Sequence, residues 1–154
     1  MTQTTIRIAK STDLDAIARL FDAYRQFYQQ PPDLRLATQF IRDRLQNRDS
    51  AILVAAAETN AATEIVGFCQ LYPSFCSIAA APIYVLYDLY VASASRQTGI
   101  GQSLLLAAHD LAKAHKKVRL DLSTAKSNLP AQRLYESLGW VRDDVYFTYS
   151  LPIT

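Results

Sequence analysis

Two glycines at the start of a helical stretch are the clearest sign of chemistry in this sequence. Gly99 and Gly101 stand two residues apart, shortly after Arg96, in a chain that has only four glycines. From Ile100 to about His115, apolar side chains recur at helical spacing. Glycine lets backbone N–H groups face a ligand without interference from a Cβ atom, and the first N–H groups of a helix have no partner within it. The pattern therefore predicts an anion site, most often one for phosphate.

Two well-known phosphate loops do not fit this segment. A P-loop requires a lysine directly after its last glycine, whereas Gln102 follows Gly101. A dinucleotide-binding loop requires a third glycine at the position of Leu104. What remains is the pattern Arg96-x-x-Gly99-x-Gly101, and a plain turn with two glycines is the alternative interpretation.

The elements that must position this loop alternate along the chain. Strands are predicted at residues 5–10, 50–58, 64–72, 82–91 and 117–124, with a closing strand or pair of strands at 140–153, and helices at 11–30, 33–47, 99–115 and 128–139. The polar turn after residue 58 predicts a hairpin between its two flanking strands. The order strand, helix, strand around the glycines favours a right-handed crossover, so we expect parallel neighbours at 83–92 and 117–123.

Length and composition favour one ordinary globular domain over residues 1–154. A net charge of +2 does not argue for a nucleic-acid partner, and no apolar stretch reaches the length of a membrane span. Cys69 and Cys76 are the only cysteines, and no secretory signal precedes them, so we expect reduced thiols in a cytoplasmic protein. The two cysteines have no histidine nearby, so no metal site is expected.

The glycine loop and a second motif together resemble the GNAT superfamily of N-acetyltransferases. Residues Arg96–Gly101 look like that family's pyrophosphate loop, Gln/Arg-x-x-Gly-x-Gly/Ala. The segment Asn128–Trp140 is similar to its second cofactor motif, Asn-x-x-Ala-x-x-Leu-Tyr-x-x-Leu-Gly-Phe, with Trp140 in place of phenylalanine. The resemblance covers about residues 64–150 and is nearest to small bacterial-type members that acetylate polyamines or other small amines.

This resemblance implies an α/β (α+β) fold with a mixed, mostly antiparallel sheet of six or seven strands and about four helices on both faces. It implies acetyl-CoA as co-substrate, with the pantetheine arm lying along the fourth strand, and no metal. The implied cofactor-binding residues are Leu89, Tyr90 and Val91 of the strand, Arg96, Gln97, Thr98, Gly99, Ile100, Gly101 and Gln102 of the loop, and Asn128 and Tyr135 of the second motif.

The resemblance also implies the catalytic groups. Tyr135 would protonate the departing thiolate, although its spacing alone is typical of a buried helix face. Asn128 also fits a helix N-cap. Many relatives carry a glutamate base on the fourth strand, and this chain has Tyr87 there. Asp88 is then the candidate base, with a strand-edge carboxylate or an electrostatic guide as the alternatives.

The acceptor is expected to be a primary amine, most simply of a small molecule. Tyr24, Phe27 and Tyr28, with Asp88, are the candidate substrate-binding residues, because aromatic faces and a carboxylate suit an alkyl ammonium. The end of the chain offers Tyr146, Phe147 and Tyr149 for the same aromatic wall. All six aromatics could instead be core residues. A protein lysine or N-terminal acetyltransferase and a catalytically degenerate acyl-CoA-binding module stay open as alternatives. A homodimer is compatible with each of them.

Overall fold

A computed structural model describes residues 3–154, which divide into two compact units with the boundary between Leu122 and Ser123. The first unit contains β1 (Thr4–Ile8), α1 (Leu14–Phe27), α2 (Leu34–Asn47), β2 (Ala51–Glu58), β3 (Thr63–Cys76), β4 (Ala81–Val91), α3 (Ile100–Ala114) and β5 (Leu120–Asp121). The second unit contains α4 (Leu129–Ser137). Up to α4 the order of helices and strands is the expected one, and the single domain over 1–154 stays a prediction.

The five strands form one sheet in the order β1-β2-β3-β4-β5. The first three neighbouring pairs are antiparallel, and β4 and β5 are parallel, with Tyr84 opposite Leu120 and Val85 opposite Asp121. The expected parallel neighbours are therefore present on either side of the crossover helix. The mixed, mostly antiparallel sheet and the four helices confirm the predicted fold class.

The helices of the first unit cover both faces of the sheet. On one face, Ile17 and Phe21 of α1 and Ile41 of α2 pack with Phe68 of β3 in a buried cluster. On the other face, α3 crosses Gly67, where a Cβ atom would lie 3.4 Å from side-chain atoms of Ile100 and Leu104. Successive residues of β3 thus pack against helices on opposite faces of the sheet, because side chains alternate between the two faces along a strand.

The number of strands differs from the expected six or seven. The described chain has five strands, and residues 140–154 form neither helix nor strand. Apolar side chains alternate along this segment, yet Val141, Phe147 and Tyr149 are 92%, 88% and 90% exposed. An alternating pattern makes a strand only when a neighbouring backbone pairs with it, so the closing strand predicted at 140–153 is wrong. The core role considered for Tyr146, Phe147 and Tyr149 is wrong for the same reason.

Local signals determine both ends of α4. The Asn128 side chain accepts a hydrogen bond from the Ala131 N–H at 3.3 Å, so it caps the helix start as its position suggested. At the other end Gly139 has φ 88°. The Trp140 N–H donates to the Tyr135 carbonyl and the Gly139 N–H to the Glu136 carbonyl, both at 3.1 Å. This is the paired hydrogen bonding of a Schellman motif.

Candidate active site

A β-bulge interrupts the pairing of β3 with β4 beside the predicted site. Gln70 lies opposite Asp88 and the next residue, Leu71, lies opposite Leu86, which leaves Tyr87 as the extra residue of β4. A bulge redirects the residues that follow it, and bulges occur often beside active sites. The position that holds a glutamate in many relatives is therefore the bulged residue of this strand.

The backbone hydrogen bonds show how the bulge reverses the two edges of β4. Before it, the Tyr84 N–H donates to the Arg119 carbonyl at 3.1 Å, so even-numbered residues face the β5 side. After it, the Ala92 N–H donates to the Val66 carbonyl at 2.8 Å, so even-numbered residues face β3. Because alternate residues of a strand bond to opposite neighbours, odd-numbered residues beyond the bulge face the β5 side.

Leu89 and Val91 accordingly direct their backbone N–H and C=O groups toward the β5 side. In residues 3–154, no strand pairs with β4 on that side beyond Val85. We call this unpaired side of residues Leu86–Val91 the open edge. Tyr90 requires a correction, because its backbone groups face β3 and are not available to a ligand at the open edge. The open edge thus offers two of the three backbone donors expected from the sequence.

The glycine loop presents a row of N–H groups without protein partners. Gln97 has φ 61° and Gly99 has φ 83°, and α3 begins at Ile100 with no side-chain cap. Within the described chain, none of the N–H groups from Gln97 to Gln102 donates a hydrogen bond to protein. Consecutive free N–H groups at a helix start form a concave anion site. The residues present therefore fit a pyrophosphate.

Gly99 is required by its backbone conformation and not by lack of space. A Cβ atom built on Gly99 meets nothing within 4 Å, but its φ of 83° is one that other residues adopt only with strain. The Thr98 hydroxyl stabilises the same turn by donating to the Ser95 carbonyl at 2.6 Å. The pyrophosphate loop stays a prediction, with a plain turn as its alternative.

Arg96 is exposed, but it is held in place at the end of the open edge. Its Nε donates to the Val91 carbonyl at 3.0 Å, and its guanidinium carbon lies 5.2 Å from the centre of the Tyr90 ring. A freely solvated turn arginine would make neither contact. These contacts position a positive charge between the open edge and the glycine loop.

Asp88 is a buried carboxylate and not a solvated strand-edge residue, with 3% of its surface exposed. Gln70 Nε2 donates to Asp88 Oδ2 at 2.7 Å, and the Tyr24 hydroxyl lies beside the same carboxylate while it donates to the Tyr87 carbonyl at 3.2 Å. Burial raises the pKa of Asp88, and the donors Gln70 and Tyr24 oppose this rise.

No lysine, arginine or histidine forms an ion pair with Asp88 within residues 3–154. Buried carboxylates in proteins are normally paired with a cation, because desolvation of an unpaired charge is unfavourable. A buried carboxyl group beside the open edge therefore suits a ligand whose positive charge would stabilise its ionised form.

The three aromatic residues predicted on α1 differ in their surroundings. Tyr24 is partly buried next to Asp88, and burial, followed by the charge of Asp88, raises its pKa. Tyr28 packs edge-on against Tyr24 with ring centroids 5.0 Å apart, and Phe27 packs against Tyr28 at 5.2 Å. Phe27 and Tyr28 are 53% and 44% exposed, so neither is a core residue.

The structure adds residues near Asp88 that sequence reasoning missed. Tyr72 of β3 stacks edge-on against Tyr87 with centroids 5.7 Å apart, and burial and the charge of Asp88 raise its pKa. Gln70 is fully buried opposite Asp88, and the Ser50 hydroxyl donates to its Oε1 at 2.9 Å. The one signal available in the sequence was the single amide in the apolar run from Val66 to Leu71.

Tyr135 and Asn128 lie in the second unit. The Tyr135 ring packs against Trp140 with centroids 6.0 Å apart, across the helix end described above. Asn128 caps the same helix. Two parts of the second motif, the Trp140 position and the glycine turn, thus orient the Tyr135 ring within this unit. The catalytic and cofactor roles predicted for Tyr135 and Asn128 stay predictions.

Residues 3–154 contain no group of three or more His, Cys, Asp or Glu side chains arranged to hold a metal ion. Among the same residues, no helix has both the length and the apolar character needed to cross a bilayer.

Comparison with known proteins gives a consistent result. The model of the acetyltransferase (GNAT) family matches residues 14–140. An uncharacterized N-acetyltransferase of Bacillus subtilis, YhfO, is 43% identical over 148 residues, which are 96% of this chain and 97% of that protein. A probable acetyltransferase of Haemophilus influenzae is 26% identical over 139 residues, covering 83% of this chain and 93% of that protein.

Solved structures agree with these matches. The crystal structure of a probable acetyltransferase superposes with a TM-score of 0.88 at 35% identity, covering 97% of this chain and 98% of the other. The aminoglycoside N-acetyltransferase AAC(6')-Iy in complex with CoA shares the fold, with a TM-score of 0.79 at 18% identity over 99% of this chain and 97% of that one. The chain belongs to the acetyltransferase (GNAT) family and is an acetyl-CoA-dependent N-acetyltransferase.

Proposed function

We propose that this enzyme acetylates the primary amine of a small cationic molecule by direct transfer within a ternary complex. The observation that carries the proposal is Asp88, a buried carboxyl group beside the open edge of β4 that forms no ion pair with any residue of 3–154. An alkyl ammonium supplies the missing positive charge and, once deprotonated, the nucleophile.

In this proposal the residues that bind acetyl-CoA are those of the glycine loop and the open edge. The N–H groups from Gln97 to Gln102 bind the pyrophosphate, and Arg96 adds positive charge. The backbone groups of Leu89 and Val91 bind the pantetheine arm as a neighbouring strand would. Acetyl-CoA supplies a thioester carbonyl for the amine to attack and a thiolate that leaves.

The acceptor ammonium binds at Asp88 in this proposal. An amine with a pKa near 10 is neutral in only about one molecule in a thousand at pH 7, so the site must remove a proton before attack. Asp88 accepts that proton, directly or through a water molecule. The aromatic faces of Tyr24, Phe27 and Tyr28 favour a cation through its attraction to their π electrons.

Tyr135 is proposed to donate a proton to the departing thiolate. The support is its place in the motif that begins at Asn128, together with the packing of its ring on Trp140. A positioned acid of this kind contributes about 10²- to 10⁴-fold to turnover. Asn128 is proposed to contact the cofactor in addition to capping α4.

We also propose a cytoplasmic location and leave a homodimer as a prediction. Cys69 and Cys76 are both free thiols, which is the usual state in a reducing compartment. Sedimentation velocity across a range of protein concentrations would test the assembly state.

An acceptor screen tests the function. The purified enzyme and acetyl-CoA are incubated with putrescine, spermidine, lysine, tyramine, kanamycin and a peptide with a free N-terminus, and acetylated products are measured by mass spectrometry. Mass spectrometry is preferable to a thiol reagent for CoA, because Cys76 would itself react. Turnover of at least one small amine above the peptide supports the proposal. Turnover of the peptide alone would contradict the small-molecule part of it.

A further inference from the structure

Gln70 is a fully buried amide that faces the proposed base. It lies on β3 directly opposite Asp88, immediately before the bulge, and none of its surface is exposed. Its Nε2 donates to Asp88 Oδ2 at 2.7 Å. A polar side chain at the centre of an apolar strand is unfavourable unless its hydrogen bonds are satisfied, so this amide has a specific task.

The Ser50 hydroxyl satisfies the oxygen of the Gln70 amide, and the Asp88 carboxyl group determines which way the amide points. The Ser50 hydroxyl donates to Gln70 Oε1 at 2.9 Å, from the residue that precedes β2. With the amide reversed, its oxygen would face the Asp88 carboxylate, and its NH₂ group would face the hydroxyl. The chain Ser50 to Gln70 to Asp88 is therefore fixed with every donor directed toward the carboxylate.

The remaining groups around Asp88 carry no compensating charge. Tyr24 of α1, and Cys69 and Tyr72 of β3, have pKa values raised by burial and by the charge of Asp88, so they are neutral near pH 7. Tyr87 of β4 turns its ring toward Tyr72.

One ion pair links α2 to the segment after it near this site. Arg44 binds Asp49 at 2.8 Å, and both act on Tyr72. Arg44 is therefore paired with Asp49, and the donors at the Asp88 carboxyl group are Gln70 Nε2, at 2.7 Å, and the Tyr24 hydroxyl beside it.

We propose that Gln70, bonded at its oxygen by Ser50, is a positioning residue that occupies Asp88 Oδ2 while the Tyr24 hydroxyl lies beside the carboxyl group, and that Oδ1 takes the proton of the acceptor ammonium. This inference rests on the proposed function of Asp88. In the step, the N–H bond of R–NH₃⁺ breaks and an O–H bond forms at Oδ1, giving R–NH₂ and a neutral Asp88. The bond from Gln70 favours the carboxylate over the carboxylic acid, so it sets the lowest pH at which the base works.

The experiment measures the Asp88 carboxyl group directly and then through catalysis. Gln70→Met removes the amide with little change in volume, and Ser50→Ala removes only the hydroxyl that bonds its oxygen. Gln26→Met is the matched control, because Gln26 donates to a different carboxylate, Asp22, at 3.1 Å. The titration midpoint of the Asp88 carboxyl carbon is followed by ¹³C NMR, and the pH profile of kcat/KM is recorded with the fastest amine of the panel above.

The inference predicts a graded result. The Asp88 midpoint rises in Gln70→Met, rises less in Ser50→Ala and is unchanged in Gln26→Met. The acid limb of kcat/KM moves upward with it, and on that limb Gln70→Met loses on the order of tenfold in kcat/KM, the usual effect of one hydrogen bond to a charged group.

An unchanged midpoint in Gln70→Met and Ser50→Ala overturns the inference, and so does a midpoint that rises without any movement of the acid limb. If Gln70→Met does not fold, Ser50→Ala alone decides, by the same criteria. If the parent enzyme acetylates no amine of the panel, the proposed function fails, while the carboxyl midpoint still decides whether Gln70 holds Asp88 ionised.

Discussion

Replacing Asp88 by asparagine separates the role of its charge from its role in packing. Asparagine has nearly the same shape and keeps an oxygen for Gln70, which donates to Asp88 at 2.7 Å. It can neither pair with an ammonium nor accept its proton. We therefore expect Asp88→Asn to fold, to bind CoA as the parent does, and to lose turnover.

The size of the loss follows from the titration of the acceptor. With an amine pKa near 10, the neutral fraction at pH 7 is about one in a thousand, so a variant without the base loses up to about 10³ in kcat/KM. That loss shrinks about tenfold for each pH unit above 7, because the amine then loses its proton to water. Near pH 10 the two enzymes should approach each other.

Stability is expected to change in the opposite direction. Burial raises the pKa of Asp88 in the folded state above its unfolded value, so the folded chain holds this proton more tightly. This tighter proton binding stabilises the folded state. The stabilisation is fully present below the pKa that Asp88 has in the unfolded chain, and it is lost as pH rises through the pKa that Asp88 has in the folded chain. At pH 7, which lies above the unfolded pKa, this contribution is reduced or lost, so the buried carboxyl group stabilises the fold less than it does in acid. Asp88→Asn should therefore melt higher than the parent at pH 7, and the difference should disappear in acid.

The assay is the pH dependence of acetylated product formation from pH 6 to pH 10, with melting temperatures recorded in the same buffers. Asp22→Asn is the matched control, because Asp22 is also a buried carboxylate, 8% exposed, that accepts hydrogen bonds from Asp33 and Gln26. Its turnover should stay near the parental value. A defect in Asp88→Asn that is smaller than about threefold, or that is constant from pH 7 to pH 10, would refute the assignment of Asp88 as base.

Three further predictions concern other parts of the chain. CoA at 100 times Kd should stabilise the parent by about 2.7 kcal/mol, and Gly99→Ala should lose this stabilisation. Gly139 has a similar φ of 88°, so Gly139→Ala should lose as much stability without ligand as Gly99→Ala does, but it should keep the stabilisation by CoA. An undiminished CoA effect in Gly99→Ala would remove the loop from the binding site. Tyr135→Phe should lower kcat by about 10²- to 10⁴-fold with CoA affinity within a few-fold of the parent, and near-parental turnover would exclude it as the acid. Iodoacetamide should modify Cys76 before Cys69. Hydrogen bonding from Ala79 and then Arg119 lowers the pKa of Cys76, whereas burial raises the pKa of Cys69 to about 12. Peptide mapping that found Cys69 modified first would contradict this prediction.

Features set by neighbours in the chain could be predicted from the sequence. The two glycines indicated a helix start with free N–H groups, and the structure gives Gly99 a φ of 83° at that point. Asn128 was predicted to cap α4, and it does so. The strand, helix, strand order also predicted the parallel pairing of β4 with β5. Each of these depends on residues a few positions apart, so spacing alone carries the information.

Only the tertiary structure decided which residues of β4 direct their backbone groups toward β3 and which direct them toward the open edge. Strand alternation cannot locate an extra residue, and the bulge at Tyr87 reverses which residues face the open edge. This is why Tyr90 was predicted as a backbone donor although its backbone faces β3. The closing strand failed for a related reason, because the pattern specifies a face but not a partner strand.

The surroundings of Asp88 depend on contacts between residues far apart in the chain. Tyr24, Ser50 and Gln70 come from α1, from the start of β2 and from β3, and each lies 18 or more positions before Asp88. Sequence alone determined that a carboxylate stood on the fourth strand. Whether it was solvated or buried, and which donors held it, followed only when the sheet and α1 enclosed it, because the pKa of a carboxylate is set by its three-dimensional surroundings and not by its neighbours in sequence.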